Sequence, residues 1–387
     1  MIGSLSIVVD EQIPLAEKIF SIFGTVHLVD GRTITNSLIK DADILLVRSV
    51  TKVDESLLRN TNVKFLGTAT SGIDHIDVDY LKASKIFFSY SPGSNSRSVA
   101  EYVLNSLIMA KTASHPSFSE MKIGIIGYGN IGSKVKKNMD IFGSSSLLND
   151  PILYEKTKDK SLTNLEHVLE SDVITMHVPL TRDGAHPTYN LVDENFLDQL
   201  KSNVIFINTS RGEVVDEDAL LSFKKRNPKS TIVLDVWRNE PQINTELLKQ
   251  AFIRTPHIAG YSYEGKIKAT RSLFNDLNDF YRTNFSFSAL FNQKNIILSP
   301  KINSLEYTAE SIISQHWNIL EDNISLSYCN LEKDERGKHF DSLRKNYPTR
   351  YEYASRVISI NKSANSVDLN IDVQDNLKKL GFKFSKK

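Results

Sequence analysis

The stretch IGIIGYGNIGSKV carries Gly127, Gly129 and Gly132 in a G-x-G-x-x-G pattern, between an apolar run and a stretch with helical spacing. Glycine allows the tight turn that must follow such a strand, and it lets the backbone approach a pyrophosphate closely. The pyrophosphate then meets a helix N-terminus, whose N–H groups are unpaired. Bare glycine spacings often mark only a turn, but the strand before and the helix after favour dinucleotide binding. The motif therefore predicts a parallel sheet with helices packed on it.

The chain around this motif predicts an α/β fold with two doubly wound parallel-sheet domains, Rossmann-like or flavodoxin-like. Over residues 1–95, short β-branched runs such as ADILLV alternate with amphipathic stretches such as PLAEKIFSIFG. Six apolar runs, from KIGIIGYG to RTPHIAG, predict the dinucleotide domain over residues 96–264. The helical pattern EGKIKATRSLFNDLNDFYRT is expected to carry the chain back, so that residues 265–288 complete the first domain.

The last part of the chain, residues 289–387, predicts a third, smaller α/β domain. The segment LEYTAESIISQHWNILEDN has helical spacing, and the polar, basic stretch after it is expected to be a loop. A strand is predicted in EYASRVISI, and a helix followed by a strand in VQDNLKKLGFKF. A length of 387 residues is sufficient for three domains that each bury a core.

Composition limits the partners of such a chain. Forty-seven basic and forty-six acidic side chains give a net charge of +1, so no global field attracts nucleic acid or an anionic membrane, and an anionic substrate must be held locally. The single cysteine, Cys329, excludes an internal disulfide framework and a zinc–cysteine cluster, which favours the reducing cytoplasm. Neither an export signal nor an apolar run of membrane-spanning length is evident, so no membrane association is expected.

Asp150 ends the apolar run SSLLND, eighteen positions after Gly132. At about this distance an acidic side chain can accept hydrogen bonds from the adenosine ribose. The alternative is a surface turn, because Asp-Pro commonly opens turns. An aspartate here would repel a 2′-phosphate, so the sequence predicts NAD rather than NADP. Comparable activity with the phosphorylated cofactor would contradict that preference.

Polar side chains follow three of the predicted strands. Arg211 lies in INTSRGEVVD, Asp235 and Glu240 lie in LDVWRNEP, and His257 lies in RTPHIAG. Because the ligand crevice of an open parallel sheet lies outside the carboxyl ends of its strands, we expect these residues to converge there. Individually each is more typical of a structural or solvated residue, whereas together, downstream of a nucleotide motif, they favour catalysis.

The residue types suit hydride transfer from a hydroxyl-bearing carbon, which also requires removal of the hydroxyl proton. Histidine titrates close enough to neutrality for that task, so His257 is the predicted acid–base. A carboxylate behind the ring, Glu240, would fix its tautomer and stabilise the imidazolium. Arg211 offers a planar fork for a substrate carboxylate. Asp235 is either a contact of the nicotinamide carboxamide or a helix cap.

The segments GIIGYGNIG, INTSRGEVVDEDAL, VLDVWRNEP and PHIAGYSYEGK, in that order, resemble the D-isomer-specific 2-hydroxyacid dehydrogenase family over most of residues 1–285. VRSVTKVDESLL, FLGTATSGIDHID and AGYSYEGK look like the branch of that family that oxidises a phosphorylated four-carbon hydroxy acid in pyridoxal 5′-phosphate synthesis. The segment FDSLRKNYPTRYEY is similar to the C-terminal dimerisation domain of that branch. The resemblance therefore implies an NAD-dependent dehydrogenase that forms a homodimer.

The resemblance also implies individual roles. Arg211 and Glu240 would be active-site residues and His257 the proton donor. Residues 1–95 with 265–288 would form the substrate-binding lid, with substrate contacts at Ser49, Thr70 and Tyr261. The NAD contacts that it implies, besides the three glycines of the motif, are Asn130, Ile131, Asp150, Val178, Thr209, Ser210, Arg211, Asp235 and Gly260. Val178 stands where the branch often has threonine, so a backbone contact would survive there and a hydroxyl contact would not.

A substrate phosphate needs further donors. Arg48, Ser49 and Lys52 in RSVTK are candidates, and Arg344 or Arg350 from the third domain are others, although each alone is more typical of a surface charge.

Two other functions use the same motifs. D-3-phosphoglycerate dehydrogenase has the same carboxylate and hydride chemistry, but its regulatory C-terminal domain would not predict FDSLRKNYPTRYEY. An NAD-sensing corepressor of this fold would bind NAD tightly, turn over slowly and capture peptide partners.

Overall fold

The computed structural model describes residues 5–111, 117–290, 296–298, 308–359 and 370–385. The chain divides into two compact units, one of Met1–Asn95 with Tyr261–Lys294 and the other of Ser96–Gly260 with Asn295–Lys387. The segment from Asn295 onward thus clusters with the second unit, and its standing as a separate domain stays a prediction. None of the helices in the described part of the chain combines the length and the apolar composition that a membrane crossing requires.

The first unit begins with a parallel sheet in the order β2-β1-β3-β4-β5. In chain order its elements are β1 Leu5–Asp10, α1 Ala16–Phe20, β2 Gly24–Val29, β3 Ile44–Val47, α2 Glu55–Leu58, β4 Phe65–Thr68, α3 Val78–Ala83 and β5 Phe87–Tyr90. Every residue of β3 and β4 is buried, which explains why these strands are continuous apolar runs with no alternation. The strand order reverses at β1, so the carboxyl ends of β1 and β3 border the crevice typical of such sheets.

The second unit contains the glycine motif in a six-stranded parallel sheet of order β11-β10-β9-β8-β6-β7. Its elements are α4 Ser96–Ala110, β6 Lys122–Ile126, α5 Gly132–Ile141, β7 Ser145–Asn149, α6 Pro151–Thr157, α7 Leu165–Leu169, β8 Val173–Met176, α8 Glu194–Asp198, β9 Ile205–Asn208, α9 Glu217–Arg226, β10 Thr231–Leu234, α10 Thr245–Gln250 and β11 Ile253–Arg254. Five of the six predicted strands are confirmed, whereas the sixth predicted run, RTPHIAG, shares only Arg254 with β11. The order reverses at β6, directly before the glycines, so the motif lies at the switch point of the sheet.

The remaining elements complete both units. They are α11 Tyr263–Tyr281, α12 Phe287–Leu290, β12 Ile296–Leu298, α13 Ala309–His316, α14 Lys333–Lys345, β13 Arg356–Ile358, α15 Ile371–Leu380 and β14 Lys383–Phe384. The helix α11 packs Leu273, Phe274 and Leu277 into the core of the first unit, as its predicted return to that domain requires. Strands β12, β13 and β14 form a small parallel sheet, so the predicted α/β character of the C-terminal segment is confirmed.

One local prediction in the C-terminal segment is wrong. The polar, basic stretch expected to be a loop forms α14 over Lys333–Lys345. A capping box between Glu332 and Glu335 begins this helix, and Phe340 is buried. Lysine, glutamate and arginine are good helix formers, so few buried apolar positions are needed to hold such a helix. The predicted helix upstream is shorter than expected: α13 ends at His316, and its predicted residues before Thr308 lie outside the described residues.

Candidate active site

The three glycines of the motif have different physical roles. Gly127 has a φ of 90°, and a Cβ there would lie 2.7 Å from the carbonyl oxygen of His177. A Cβ on Gly132 would lie 2.1 Å from the carbonyl oxygen of Gly127. The chain's own backbone therefore demands glycine at these two positions. A Cβ on Gly129, by contrast, would meet nothing within 4 Å, so the protein leaves room there for a close ligand, as a pyrophosphate requires.

Asp150 is fixed beside this turn by two backbone amides. Its Oδ2 accepts from the N–H of Tyr128 at 3.0 Å, and its Oδ1 accepts from the N–H of Leu153 at 2.9 Å as the N-cap of α6. A carboxylate oxygen can accept more than one hydrogen bond, so capping leaves capacity for ribose hydroxyls. Both interpretations of the Asp-Pro pair, helix opening and ribose contact, are compatible with this geometry.

The other predicted cofactor contacts occupy the same edge of the second sheet. Asn130 is exposed and Ile131 is the residue before α5, so both continue the glycine turn into the helix. Val178 is partly exposed two residues after β8, and Gly260 is the last residue of the first segment of the unit. Their contacts with a bound NAD stay predictions.

The turn after β9 presents Arg211. The Oδ1 of Asn208 accepts from the N–H of Ser210 at 3.0 Å and from its hydroxyl at 2.8 Å, while its Nδ2 donates to the carbonyl of Arg211 at 2.9 Å. Asn208 thus folds the turn from inside, and Thr209 and Ser210 are buried. Arg211 is partly exposed and donates from Nη1 to the carbonyl of Ser210 at 2.7 Å.

Gly212 joins this turn to the one that carries Glu240. A Cβ on Gly212 would lie 2.0 Å from the carbonyl carbon of Trp237, so the two backbones meet with no room for a side chain. This contact brings the turn after β9 against the turn after β10. The two turns therefore meet through their backbones, at the edge of the sheet where the strand ends predicted them.

Asp235 organises the segment that contains His257. It is 1% exposed, and its carboxylate accepts from the hydroxyl of Thr255 at 2.6 Å and from the N–H groups of Ile258 at 2.7 Å and Ala259 at 2.9 Å. Its carbonyl accepts from the N–H of His257 at 2.7 Å. Sequence reasoning missed this role, because the partners lie about twenty residues downstream. The predicted contact of Asp235 with NAD stays a prediction beside it.

His257 itself has a φ of 57°, a left-handed conformation that costs a residue other than glycine about 1–3 kcal/mol. Such strain persists only where the surroundings fix it, and the hydrogen bonds to Asp235 do so here.

His257 and Glu240 form a hydrogen-bonded pair. The ring Nδ1 lies 2.8 Å from the Oε2 of Glu240, whose Oε1 accepts from the N–H of Trp237 at 2.9 Å. Because an ionised carboxylate only accepts, Nδ1 carries a proton and Nε2 is the atom left for proton exchange. Burial disfavours the imidazolium, but the charge of Glu240 and its hydrogen bond outweigh that effect and raise the pKa of His257. Burial opposes ionisation of Glu240 as well, yet the charge of His257 keeps its pKa below the ordinary value.

This pair predicts a pH profile. As the predicted base, His257 must be neutral to accept a proton in the oxidative direction, so we expect activity to rise with pH through its pKa, which lies above the ordinary 6.5. In Glu240→Gln, burial and the charge of Arg344 remain, and both lower the pKa, whereas of the groups that raise it only Asp235 is left. We therefore expect the acid limb of kcat/KM to move to lower pH, with a lower plateau.

Glu217→Gln is the matched control for that profile. Glu217 is a buried glutamate of the same unit, its Oε1 accepts from the N–H of Arg238 at 2.8 Å, and burial raises its pKa to about 7. It titrates in the relevant range without a contact to His257. If the acid limb moved in Glu217→Gln and stayed in place in Glu240→Gln, the limb would not report the titration of His257 beside Glu240.

The predicted substrate residues lie in the first unit, at the carboxyl ends of β3 and β4. Ser49 is exposed, and Thr70 donates to the carbonyl of Gly72 at 2.7 Å. The Nη2 of Arg48 donates to the hydroxyl of Tyr261 at 3.2 Å. The ammonium of Lys266 lies 4.4 Å from the ring centroid of the same tyrosine. Arg48, Tyr261 and Lys266 thus form a cluster, of which the sequence interpretation does not include Lys266.

The other candidates for a phosphate contact are placed differently. The side chain of Lys52 is 81% exposed, and its ammonium lies 2.9 Å from the carboxylate of Asp54. Lys52 therefore forms a surface ion pair. Arg344, in α14, lies within electrostatic range of Glu240 and His257, since its charge lowers the pKa of both. Arg350 is only 8% exposed and donates to the carbonyl of Ala259 at 2.6 Å.

Comparison with known proteins shows the family to which the chain belongs. The model of the D-isomer specific 2-hydroxyacid dehydrogenase, NAD binding domain, matches residues 97–259. The erythronate-4-phosphate dehydrogenase of Wigglesworthia glossinidia brevipalpis is 40% identical over 385 residues, which cover 98% of this chain and 98% of that protein. The chain belongs to the erythronate-4-phosphate dehydrogenase family. The erythronate-4-phosphate dehydrogenase of Escherichia coli O139:H28 is 37% identical over 364 residues, 91% of this chain and 93% of its own.

Solved structures of other NAD-bound dehydrogenases share this fold. The D-lactate dehydrogenase from Aquifex aeolicus, complexed with NAD and lactic acid, has a TM-score of 0.62 and 25% identity, and the match covers 72% of this chain and 96% of that chain. The NAD-bound 3-phosphoglycerate dehydrogenase of Entamoeba histolytica has a TM-score of 0.63 and 26% identity over the same shares. The predicted fold, the NAD-dependent dehydrogenase class and the branch within the family are confirmed.

Proposed function

We propose that this family member oxidises 4-phospho-D-erythronate to (R)-3-hydroxy-2-oxo-4-phosphooxybutanoate with NAD, a step of pyridoxal 5′-phosphate (vitamin B6) synthesis. The observation that carries the proposal is the His257–Glu240 pair, with its 2.8 Å hydrogen bond, in a chain that matches an erythronate-4-phosphate dehydrogenase over 98% of its length. The hydrogen-bonded pair can exchange a proton with a substrate hydroxyl, and the family match indicates the class of substrate.

The residues of the second unit fit the cofactor. Gly129 leaves space for a pyrophosphate, and the carboxylate of Asp150, beside the same turn, keeps acceptor capacity for ribose hydroxyls. NAD, when bound, supplies the hydride acceptor. The carboxylate of Asp150 disfavours a 2′-phosphate, so NADP is expected to be a poor substitute.

The chain's own groups handle the proton and the substrate charges. The Nε2 of His257 accepts the proton of the 2-hydroxyl, and Glu240 stabilises the imidazolium that forms. In the reverse direction His257 donates the same proton. Arg211 holds the substrate carboxylate through its guanidinium fork, which fixes the reacting carbon.

We assign the substrate phosphate to Arg48, with Lys266 as its neighbour. Both cations contact the ring or the hydroxyl of Tyr261. Arg48 is partly exposed, directly after β3, at the strand-order reversal of its sheet. Two cations on one tyrosine form a locally positive patch, which a chain with a net charge of +1 needs in order to hold an anion.

Arg48→Gln is expected to raise the KM for 4-phospho-D-erythronate by about 10–100-fold, since a hydrogen bond to a charged group is worth about 1.5–3 kcal/mol. The KM for D-erythronate, which lacks the phosphate, should be unaffected. Steady-state kinetics with both acids measure the difference. Lys52→Gln is the matched control, because its ammonium pairs with Asp54. Equal effects of Arg48→Gln on both acids would remove Arg48 from the phosphate site.

The function is tested by NADH absorbance with purified protein and 4-phospho-D-erythronate, beside 3-phospho-D-glycerate and with NADP in place of NAD. Strong preference for 4-phospho-D-erythronate with NAD supports the proposal. Faster turnover of 3-phospho-D-glycerate would be consistent with the dehydrogenase class, but it would show that the proposed substrate is wrong. Loss of turnover with both acids, together with tight NAD binding and capture of peptides, would favour a corepressor.

We further propose that the protein is a cytoplasmic homodimer that pairs through its C-terminal segment. The support is the similarity of FDSLRKNYPTRYEY to a dimerisation domain, and the single cysteine, which fits a reducing compartment. A sedimentation mass near that of one chain would contradict the dimer.

A further inference from the structure

Arg350 lies between α14 and β13, yet its side chain reaches the segment that follows His257. The Nη2 of Arg350 donates to the carbonyl of Ala259 at 2.6 Å and, more weakly, points to the carbonyl of Ile258 at 3.4 Å. It also donates to the hydroxyl of Ser98. The guanidinium stacks over the ring of Trp317, 4.0 Å from the ring centroid. All of these groups belong to the second unit.

The same segment is held from its other side by Asp235. The carboxylate of Asp235 accepts from the N–H groups of Ile258 and Ala259, whereas Arg350 donates to the carbonyls of those two residues. An anion therefore binds the amide side, and a cation binds the carbonyl side, of the two residues that follow His257. With both sides fixed, the left-handed backbone of His257 has little freedom to relax.

Ser98 completes the carbonyl side. Its hydroxyl donates to the carbonyl of Ala259 at 2.7 Å and accepts from Arg350, so three groups form a closed hydrogen-bonded triangle. Ser98 is 0% exposed and Arg350 is 8% exposed, so water does not compete with these bonds.

We propose that Arg350 is a positioning residue, which the C-terminal segment contributes to hold His257 in register for proton transfer. The proposal rests on the proposed function, since it concerns the same proton. Only a planar guanidinium can stack on Trp317 and reach several acceptors at once, so lysine should replace it only in part. The C-terminal segment thereby acts on the reaction within its own chain.

A buried cation needs compensation, which limits the choice of variants. Glu101 and Glu352 are 5% and 2% exposed, and the charge of Arg350 acts on Glu101 and on Asp322. Alanine at position 350 would remove a positive charge that acts on Glu101 and Asp322, and would destabilise the fold. Arg350→Lys keeps the charge, and Ser98→Ala removes one corner of the triangle and leaves Arg350 in place.

The first readout is kinetic. We expect Arg350→Lys to lower kcat for 4-phospho-D-erythronate by about 10–100-fold, since small displacements of reacting groups have effects of that size. The KM and the Kd of NAD should stay within about threefold. Ser98→Ala should lower kcat less, and the double variant should lose less than the product of the two effects, because both act on the carbonyl of Ala259.

The second readout does not depend on the substrate. The pKa of His257, followed by NMR of isotopically labelled histidine, should be lower in Arg350→Lys than in the parent, because displacement weakens the hydrogen bond to Glu240. Asp235 and Arg344 also face His257 and are left intact, and the charge at position 350 is conserved. A change in that pKa therefore reports geometry.

Leu380→Ala is the matched control for a merely structural effect. Leu380 lies in the same C-terminal segment and is 6% exposed. Its truncation leaves a cavity that lowers stability, and its apolar side chain makes no hydrogen bond to residues 258–259 that could be lost. It should lower Tm and leave kcat and the pKa of His257 unchanged. A folded Arg350→Lys protein with parental kcat and parental pKa, or equal changes in Leu380→Ala, would overturn the inference. A parent without turnover of 4-phospho-D-erythronate would remove the proposed function, and the NMR comparison would still decide the role of Arg350.

Discussion

His257→Asn is expected to lower kcat for oxidation of 4-phospho-D-erythronate by about 10²–10⁴-fold, the usual contribution of a positioned general base. Asparagine suits the test because it tolerates the left-handed backbone at this position, where φ is 57°. The fold and the Kd of NAD should therefore be retained. Steady-state NADH absorbance measures kcat, and protein fluorescence measures NAD binding.

His186→Asn is the control for that experiment. His186 and Glu155 form another histidine–glutamate pair in the same unit, with the same 2.8 Å separation, but the side chain of Glu155 is 59% exposed whereas that of Glu240 is 18% exposed. An exposed pair contributes little, so this variant should retain parental kcat and Tm. If His257→Asn kept more than about a tenth of the parental rate, a positioned base at this site would not explain catalysis.

The parts of the molecule that the sequence could predict are those with local causes. The glycine motif needs its turn where a strand meets a helix, and the six strands of its sheet are short apolar runs with helices between them. Arg211, Glu240 and His257 follow strand ends, so parallel topology alone predicts the edge of the sheet on which they lie. The chemistry of a carboxylate behind an imidazole predicts the pairing of Glu240 with His257, and the 2.8 Å contact has that geometry.

Long-range partners were beyond the reach of sequence reasoning. Lys52 lies close to Arg48 in the chain, but its ammonium forms an ion pair with the carboxylate of Asp54. Lys266, more than two hundred residues later, is the cation that shares Tyr261 with Arg48. The charge of Arg350 suggests a phosphate ligand, and nothing in its neighbours along the chain indicates that it binds Ala259. Side-chain partners of this kind depend on tertiary packing, which local patterns do not encode.

The largest expected effect on substrate binding is that of Arg211→Gln, which should lower kcat/KM for 4-phospho-D-erythronate by about 10²–10³-fold. A bidentate pair with a carboxylate comprises two charge-assisted hydrogen bonds, each worth about 1.5–3 kcal/mol, and part of that sum is lost to incomplete additivity. Glutamine keeps a donor and removes the charge and the fork.

The structure limits how much else Arg211→Gln can disturb. The turn is folded by Asn208 and by the close approach of Gly212 to Trp237, neither of which involves the guanidinium. Tm should therefore change little, and the loss of kcat/KM should appear with every 2-hydroxy acid tested, phosphorylated or not. Arg226→Gln, which removes a surface pair with Asp198 at 2.9 Å, is the control. A loss confined to the phosphorylated acid would instead place Arg211 at the phosphate, and Arg48 would then lose that role.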